Sequence, residues 1–491
     1  MFRGMDNKSC RRGNDKNGFF LAGLAILFVF LSGCTAHYPV YPKEGSADQQ
    51  LQYQLKKMKQ VRSDKVFIVL CFSGGGIRAA SMSYGVLEAL QAVDLPTRPS
   101  RLVQGNNPAK KTLLDEVNVI MSVSGGSFTA AYYGLHGKDI FKNFRNEFLL
   151  RDVRGALFWR VMNPINWVLL ASAQFDRSDL AQEYYDEVLF KGATLGDMIK
   201  REGPLINILA TDAIGGISFE FVPSYFNLIC SDYDHFPVSR AVTASSAFPG
   251  PFSPIVLKNY AGQCDYKTPE WVGKALSKAD TSSRVYIRAS AINLFTDAQT
   301  KPYIYLIDGG VSDNLGIRAV IESIAGLDGI RSSLTSSGLS NPNKIAFIIV
   351  DAQTHVQQGT LLGDIPGLGF VLDSSSSIMI NRNNFDTMDL LRRYIQDWNA
   401  DDIAAGRKPL DFYVVHLNFG SLPDKTEREY FNNIPTLSLP AEQVDKLRDV
   451  AGRLLYTNEE FKRLVTDIGG NTPLKTNQPN QAPTTPVPEN K

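Results

Sequence analysis

Three consecutive glycines, Gly74-Gly75-Gly76, separate an apolar run from a helix-period pattern in the stretch VFIVLCFSGGGIRAASMSYGVLEAL, residues 66–90. The run from Val66 to Cys71 is short, apolar and β-rich, which predicts a buried strand. Ile77, Ala80, Tyr84, Leu87 and Leu90 recur at helical spacing, so the glycines fall on a strand-to-helix turn. Amides at a helix start have no intrahelical acceptor, and the helix dipole favours negative charge beside them. The turn therefore suits an anion.

Two kinds of anion compete for it. A Walker-type phosphate loop needs a lysine that does not follow here, and positions 74–79, Gly-Gly-Gly-Ile-Arg-Ala, match the dinucleotide fingerprint only weakly, with alanine in the last place. The other candidate is the oxyanion of an acyl-transfer intermediate, which demands a nucleophile elsewhere in the chain.

The stretch EVNVIMSVSGGSFTAAYYGLHG, residues 116–137, offers one. Val117–Met121 predicts a strand, and Phe128, Ala131, Tyr132 and Leu135 continue at helical spacing. Between them, Ser122-Val123-Ser124-Gly125-Gly126 is close to the Gly-x-Ser-x-Gly nucleophile elbow, with Ser124 in the nucleophile position. Ser122 stands where that pattern has glycine, and its Cβ predicts a slightly wider elbow.

A third stretch, YIYLIDGGVSDNLGIRAVIESI at 303–324, reads as a strand with Asp308 at its carboxyl end, then a Gly309-Gly310 turn. Asp313 and Asn314 suit a helix start, and Asp313 is read as a cap rather than a catalytic group. Functional groups of open α/β sheets gather at strand carboxyl ends, so all three pieces are expected on one edge.

In that order, SGGGIR, SVSGGS and DGGVSDN resemble the glycine-rich loop, serine elbow and Asp-Gly-Gly motif of the patatin-like phospholipases. The Ser-Gly-Gly-Gly-x-Arg form is closer to the cytosolic phospholipase branch. NILATD at 207–212 and SRAVTASSAFPGPFSPI at 239–255 also resemble segments of the family, and the similarity spans about residues 65–355. The resemblance implies a three-layer α/β/α fold with a mostly parallel central sheet, a patatin-like variation on the hydrolase architecture. It implies hydrolysis of lipid acyl esters, of the phospholipase A or lysophospholipase type, through an acyl-serine intermediate and without a cofactor.

Carried over by position, Ser124 is the nucleophile and Asp308 its general base. The amides of Gly74, Gly75 and Gly76, joined by that of Gly125, hold the oxyanion, and Arg78 adds positive potential there or neutralises a head group. An aspartate with the ordinary pKa of about 4 is a weak base for a serine hydroxyl, so burial in an apolar pocket is expected to raise it.

Two alternatives stay open. One is a Ser-His-Asp esterase using His355, which lies just past the strand-like IAFIIVDAQ; His416 reads as a satisfied strand residue. The other is a catalytically silent, membrane-anchored lipoprotein that binds lipid or serves as a scaffold.

The first residues argue for export. Five basic and two acidic residues precede the thirteen apolar residues Phe19 to Leu31, a charged n-region and an h-region too short for a comfortable span. LSGC, residues 31–34, resembles the lipobox of bacterial lipoproteins, which implies cleavage before Cys34 and its acylation. Residues 1–33 are thus read as a signal peptide, 34–62 as a lipidated tether, 63–468 as a catalytic domain with insertions, and 469–491 as a disordered Pro/Thr/Asn-rich tail. The expected location is the cell envelope, with Thr35 after Cys34 pointing to the outer membrane. A net charge of +1 without a basic block gives nucleic-acid binding little support.

No metal-ligand spacing is apparent among the cysteines and histidines. In an oxidising compartment Cys230 pairs with Cys264 more readily than Cys71, which lies in a buried strand. The stripe Phe385, Met388, Leu391, Ile395 and Trp398 reads as core. The apolar PINWVLLASAQF at 164–175 reads as a buried helix, with an acyl-pocket lining or a bilayer contact as the other readings.

Overall fold

Strand alternation sets the layers. In the strand Val66–Phe72, Ile68, Leu70 and Phe72 join one apolar cluster while Val69 and Cys71 join another, all of them buried. A strand apolar on both faces requires a helical layer on each side. The first cluster takes the helices Gly76–Gln91, Gly125–His136 and Ala441–Thr457; the second takes Ile317–Gly326 and Leu368–Ala404.

The computed structural model describes residues 37–38, 62, 66–96, 111–172, 175–278, 280–326, 329–336, 342–354 and 368–473. Its sheet has nine strands: β1 (His37–Tyr38), β2 (Val66–Phe72), β3 (Val117–Val123), β4 (Leu205–Asp212), β5 (Ile217–Glu220), β6 (Ile255–Lys258), β7 (Tyr303–Asp308), β8 (Lys344–Asp351) and β9 (Asp411–Asn418). The order is β1-β6-β7-β4-β3-β2-β8-β9, with β5 beside β4. Five pairings are parallel; β4 with β5, β4 with β7 and β6 with β7 are antiparallel. This is the mostly parallel three-layer α/β fold expected from the resemblance.

Asp308 reaches the site on a strand that runs against β4, whereas β2, β3 and β4 lie parallel. Leu209 pairs with Val123 and Glu220, while the next residue, Ala210, pairs with Asp308 and Phe219. β5 therefore flanks one side of β4, and β3 and β7 share the other, meeting end to end. A buried ion pair between Lys301 and Asp212 and the bond from Ala213 N to Tyr305 O (2.8 Å) fix where β7 lies.

Other readings are refined. His37 and Tyr38, inside the stretch read as a tether, form an edge strand on β6. Asn471, inside the stretch read as tail, exchanges backbone bonds of 2.9 and 3.2 Å with Asp94. Cys230 and Cys264 form a disulfide, and Cys71 is a buried thiol. Met388, Leu391 and Trp398 are buried as expected, but Phe385 is exposed. Cys34, residues 1–33 and His355 lie outside the described residues.

Candidate active site

The site is assembled where β3 and β7 end. After Val123 the chain turns sharply into the helix Gly125–His136, and Ser124 takes φ 49°, ψ −120°. A side chain there costs about 1–3 kcal/mol, which the surrounding packing must offset. Two glycines provide the room. A Cβ on Gly125 would stand 2.1 Å from Gly76 O, and one on Gly126 would stand 2.7 Å from Phe72 O. Ser122, the departure from the elbow pattern, is buried in β3 and donates to Asn207 O at 3.2 Å.

Ser124 Oγ donates to Asp308 Oδ2 at 2.8 Å. The other carboxylate oxygen, Oδ1, accepts from Gly310 N at 2.8 Å. Burial pushes the Asp308 carboxyl from its ordinary 3.8 up to about 6, and these two bonds pull it partly back. Its backbone is also pinned: Asp308 N donates to Ala247 O, and Thr211 Oγ1 donates to Asp308 O at 2.8 Å.

The glycine loop lies against the elbow. Gly75 and Gly76 have φ of 134° and 60°, conformations that side chains rarely adopt. Gly74 N is occupied, pointing at Asn314 Oδ1 (3.2 Å) and Asn314 O (3.3 Å), and Ile77 N donates to Thr436 O. Among the described residues, the amides of Gly75 and Gly76 meet no protein acceptor. They and Gly125, packed on Gly76, are the donors left for a substrate oxygen. Arg78 is buried, with Nε on Ala352 O (2.9 Å) and Nη1 on Ile434 O (2.7 Å), and its Nη2 lies 3.6 Å from where a Cβ on Gly75 would stand, so the guanidinium is fastened against the glycine loop.

Ser245, which the sequence motifs left unassigned within SRAVTASSAFPGPFSPI, links the elements. Its hydroxyl donates to Leu209 O (2.6 Å) and accepts from Ser124 N (2.9 Å), and it lies 2.9 Å from Ser127 Oγ. A serine ending a helix just before a proline-glycine turn was the available signal. Asn314 is the other residue whose part was missed. Asp313 accepts from Ala319 N at 3.0 Å and anchors the helix Ile317–Gly326, which fits a cap. Asp351 is occupied by His416 Nε2 (3.3 Å) and Gln353 N (3.1 Å).

A buried carboxyl near neutrality, a strained serine bonded to it and open amides alongside are the parts that acyl transfer uses. The family model described as patatin-like phospholipase matches residues 70–321, just over half of the chain. The solved structure titled "Human GIVD cytosolic phospholipase A2" aligns over 88% of this chain and 68% of its own, at 11% identity and a TM-score of 0.40. No curated protein matches the chain.

Proposed function

The chain belongs to the patatin-like phospholipase family and is a lipid acyl hydrolase, and we propose that it acts through a Ser124–Asp308 dyad and an acyl-serine intermediate. The observation that carries this reading is the 2.8 Å bond from Ser124 Oγ to Asp308 Oδ2 at a strained turn.

Asp308 takes the Ser124 proton as Oγ attacks the ester carbonyl carbon. The carbonyl oxygen becomes an oxyanion, held by the amides of Gly75, Gly76 and Gly125 and favoured by the dipole of the Gly125–His136 helix. Collapse breaks the ester C–O bond, and the Asp308 carboxylic acid gives its proton to the departing alcohol. Asp308 then takes a proton from water as the water oxygen attacks the acyl-serine carbonyl carbon; collapse breaks the acyl carbon–Oγ bond, and the Asp308 carboxylic acid returns its proton to Ser124 Oγ, releasing the fatty acid and restoring both groups. A carboxyl titrating at about 6 is a stronger base than an ordinary aspartate.

We further propose phospholipids or lysophospholipids as substrates and acylation of Cys34 as the envelope anchor. Mass spectrometry of products from mixed bacterial phospholipids tests the first, with fatty acid release expected from wild type and none from Ser124→Ala. Release unchanged in Asp308→Asn but lost in His355→Ala would replace the dyad with a histidine triad. Metabolic labelling with an alkyne fatty acid, lost in Cys34→Ala, tests the anchor.

A further inference from the structure

Half of the large apolar side chains exposed among the described residues fall within twelve positions, from Phe158 to Leu169. They belong to two short helices, Val153–Met162 and Pro164–Leu170, the second of which was expected to be buried. Trp159, Ile165 and Val168 are 72%, 75% and 77% exposed, and Val153 is the one residue of the two helices that is buried.

Val153, Ala156 and Leu157 seat the first helix on the core, and polar bonds hold the pair in shape. Asp152 caps the first helix at Gly155 N, Asn163 caps the second at Ile165 N, and Asn166 Nδ2 donates to Arg160 O at 2.7 Å. Trp167 Nε1 donates to Val161 O at 2.9 Å, which satisfies the indole and turns its ring outward, 48% exposed. The apolar face is thus presented in a fixed form, and among the described residues nothing of this chain covers it.

Charge and position indicate the occupant. Arg160 is paired with Glu187 and Asp152 is engaged as the helix cap, so the cations presented to an anionic surface are Arg151 and Arg154, exposed at the foot of the first helix. Tryptophan and aliphatic residues beside arginines suit the boundary between anionic head groups and acyl chains. No helix among the described residues is long and apolar enough to cross a membrane. Beyond Leu170 the chain is tied back by Arg177 to Gly250 O and by Ser178 to Ser253 O (2.7 Å). That loop contains Ala247, whose carbonyl accepts from Asp308 N at 3.0 Å.

We propose that these two helices dock the protein on an anionic lipid bilayer, laying Trp159, Ile165, Trp167 and Val168 among the acyl chains beside the Ser124–Asp308 site. The proposal rests on the acyl-hydrolase reading for its purpose, but its binding test does not require turnover. Full-length Ser124→Ala protein carrying Cys34→Ser is mixed with phosphatidylglycerol vesicles whose acyl chains are brominated. Bromine is expected to quench tryptophan fluorescence, and quenching is expected to fall at least fivefold when Trp159 and Trp167 are changed to Phe.

In the active protein, Trp159→Glu/Ile165→Glu/Val168→Glu is expected to lower hydrolysis of vesicle lipid at least tenfold while a soluble short-chain ester is cleaved within twofold of wild type. The single Val168→Glu variant serves if the triple variant does not fold, with at least a threefold loss on vesicles. Quenching that survives the Phe substitutions, or vesicle hydrolysis unaffected by the charges, overturns the proposal. So does a wild-type dimer that the glutamates split, with no bromine quenching, because a second copy then covers this face. Quenching without hydrolysis of any ester leaves the docking intact and removes the catalytic reading instead.

Discussion

Val123 and Asp308 end two oppositely directed strands at adjacent positions along one side of β4. That junction brings a hydroxyl and a carboxyl from residues 184 positions apart within one hydrogen bond.

Asp308→Asn keeps the shape and an acceptor for Gly310 N but removes the base. Its kcat on a short-chain ester is expected to fall about a thousandfold, within the range for losing a general base. In wild type, kcat/KM is expected to rise with pH through about 6 and level off above it, as the free carboxyl loses its proton.

The same group sets a stability trend of known sign. The folded protein holds the Asp308 proton more tightly than the unfolded chain, so this contribution is most favourable below pH 3.8 and declines as pH rises to about 6. A shift of that size corresponds to about 3 kcal/mol. Asp308→Asn is therefore expected to melt above wild type at pH 8, with the gap narrowing toward pH 4; an equal gap at both pH values would contradict the buried, proton-retaining carboxyl.

Glycines near the site and far from it differ sharply in what they permit. A Cβ on Gly125 would meet the backbone of Gly76 at 2.1 Å, so Gly125→Ala is expected to lower ester hydrolysis at least a hundredfold. Gly273, in the helix Glu270–Leu276, has nothing within 4 Å of where a Cβ would stand, and Gly273→Ala is expected to be neutral or to stabilise by up to about 1 kcal/mol. Thermal melts and initial rates on both variants separate local crowding from a general effect of alanine.

Ser245→Ala strips the acceptor from Ser124 N and the donor from Leu209 O inside the protein. Leaving such groups unpaired costs about 1–3 kcal/mol each, so a lower melting temperature is expected together with a fall in kcat and little change in KM. Unchanged kcat would mean that the elbow holds its geometry without this serine.

The buried pair of Lys301 and Asp212 fixes β7 on β4. Lys301→Ala is expected to cost about 3–5 kcal/mol, because it leaves an uncompensated buried carboxylate. In denaturant unfolding the double variant Lys301→Met/Asp212→Leu should recover much of that loss.

The three strand-glycine-helix pieces were legible because each is local: an apolar run, a glycine turn and a helical period within about twenty-five residues. Pairing is not local, and no residue in YIYLID announces that β7 runs against β4 or that it ends opposite Ala210. Hydrogen-bond competition was also hidden. Three glycines in a row suggested three open amides, yet Asn314, distant in sequence, takes the first of them. Periodicity identified apolar helices at 164–175 and 383–398 but not which side chains have a layer to pack against; Met388 has one, while Ile165 and Phe385 do not. The two backbone carbonyls that hold Arg78 beside the glycine loop, Ala352 O and Ile434 O, come from distant segments and were not readable from the motif.

The most direct test of the account is mass spectrometry of the folded protein after exposure to a fluorophosphonate probe. One phosphonyl group on the peptide bearing Ser124, absent in Ser124→Ala and strongly slowed in Asp308→Asn, is the expected result. A folded protein that takes no label, or takes it at another serine at the same rate, would contradict it.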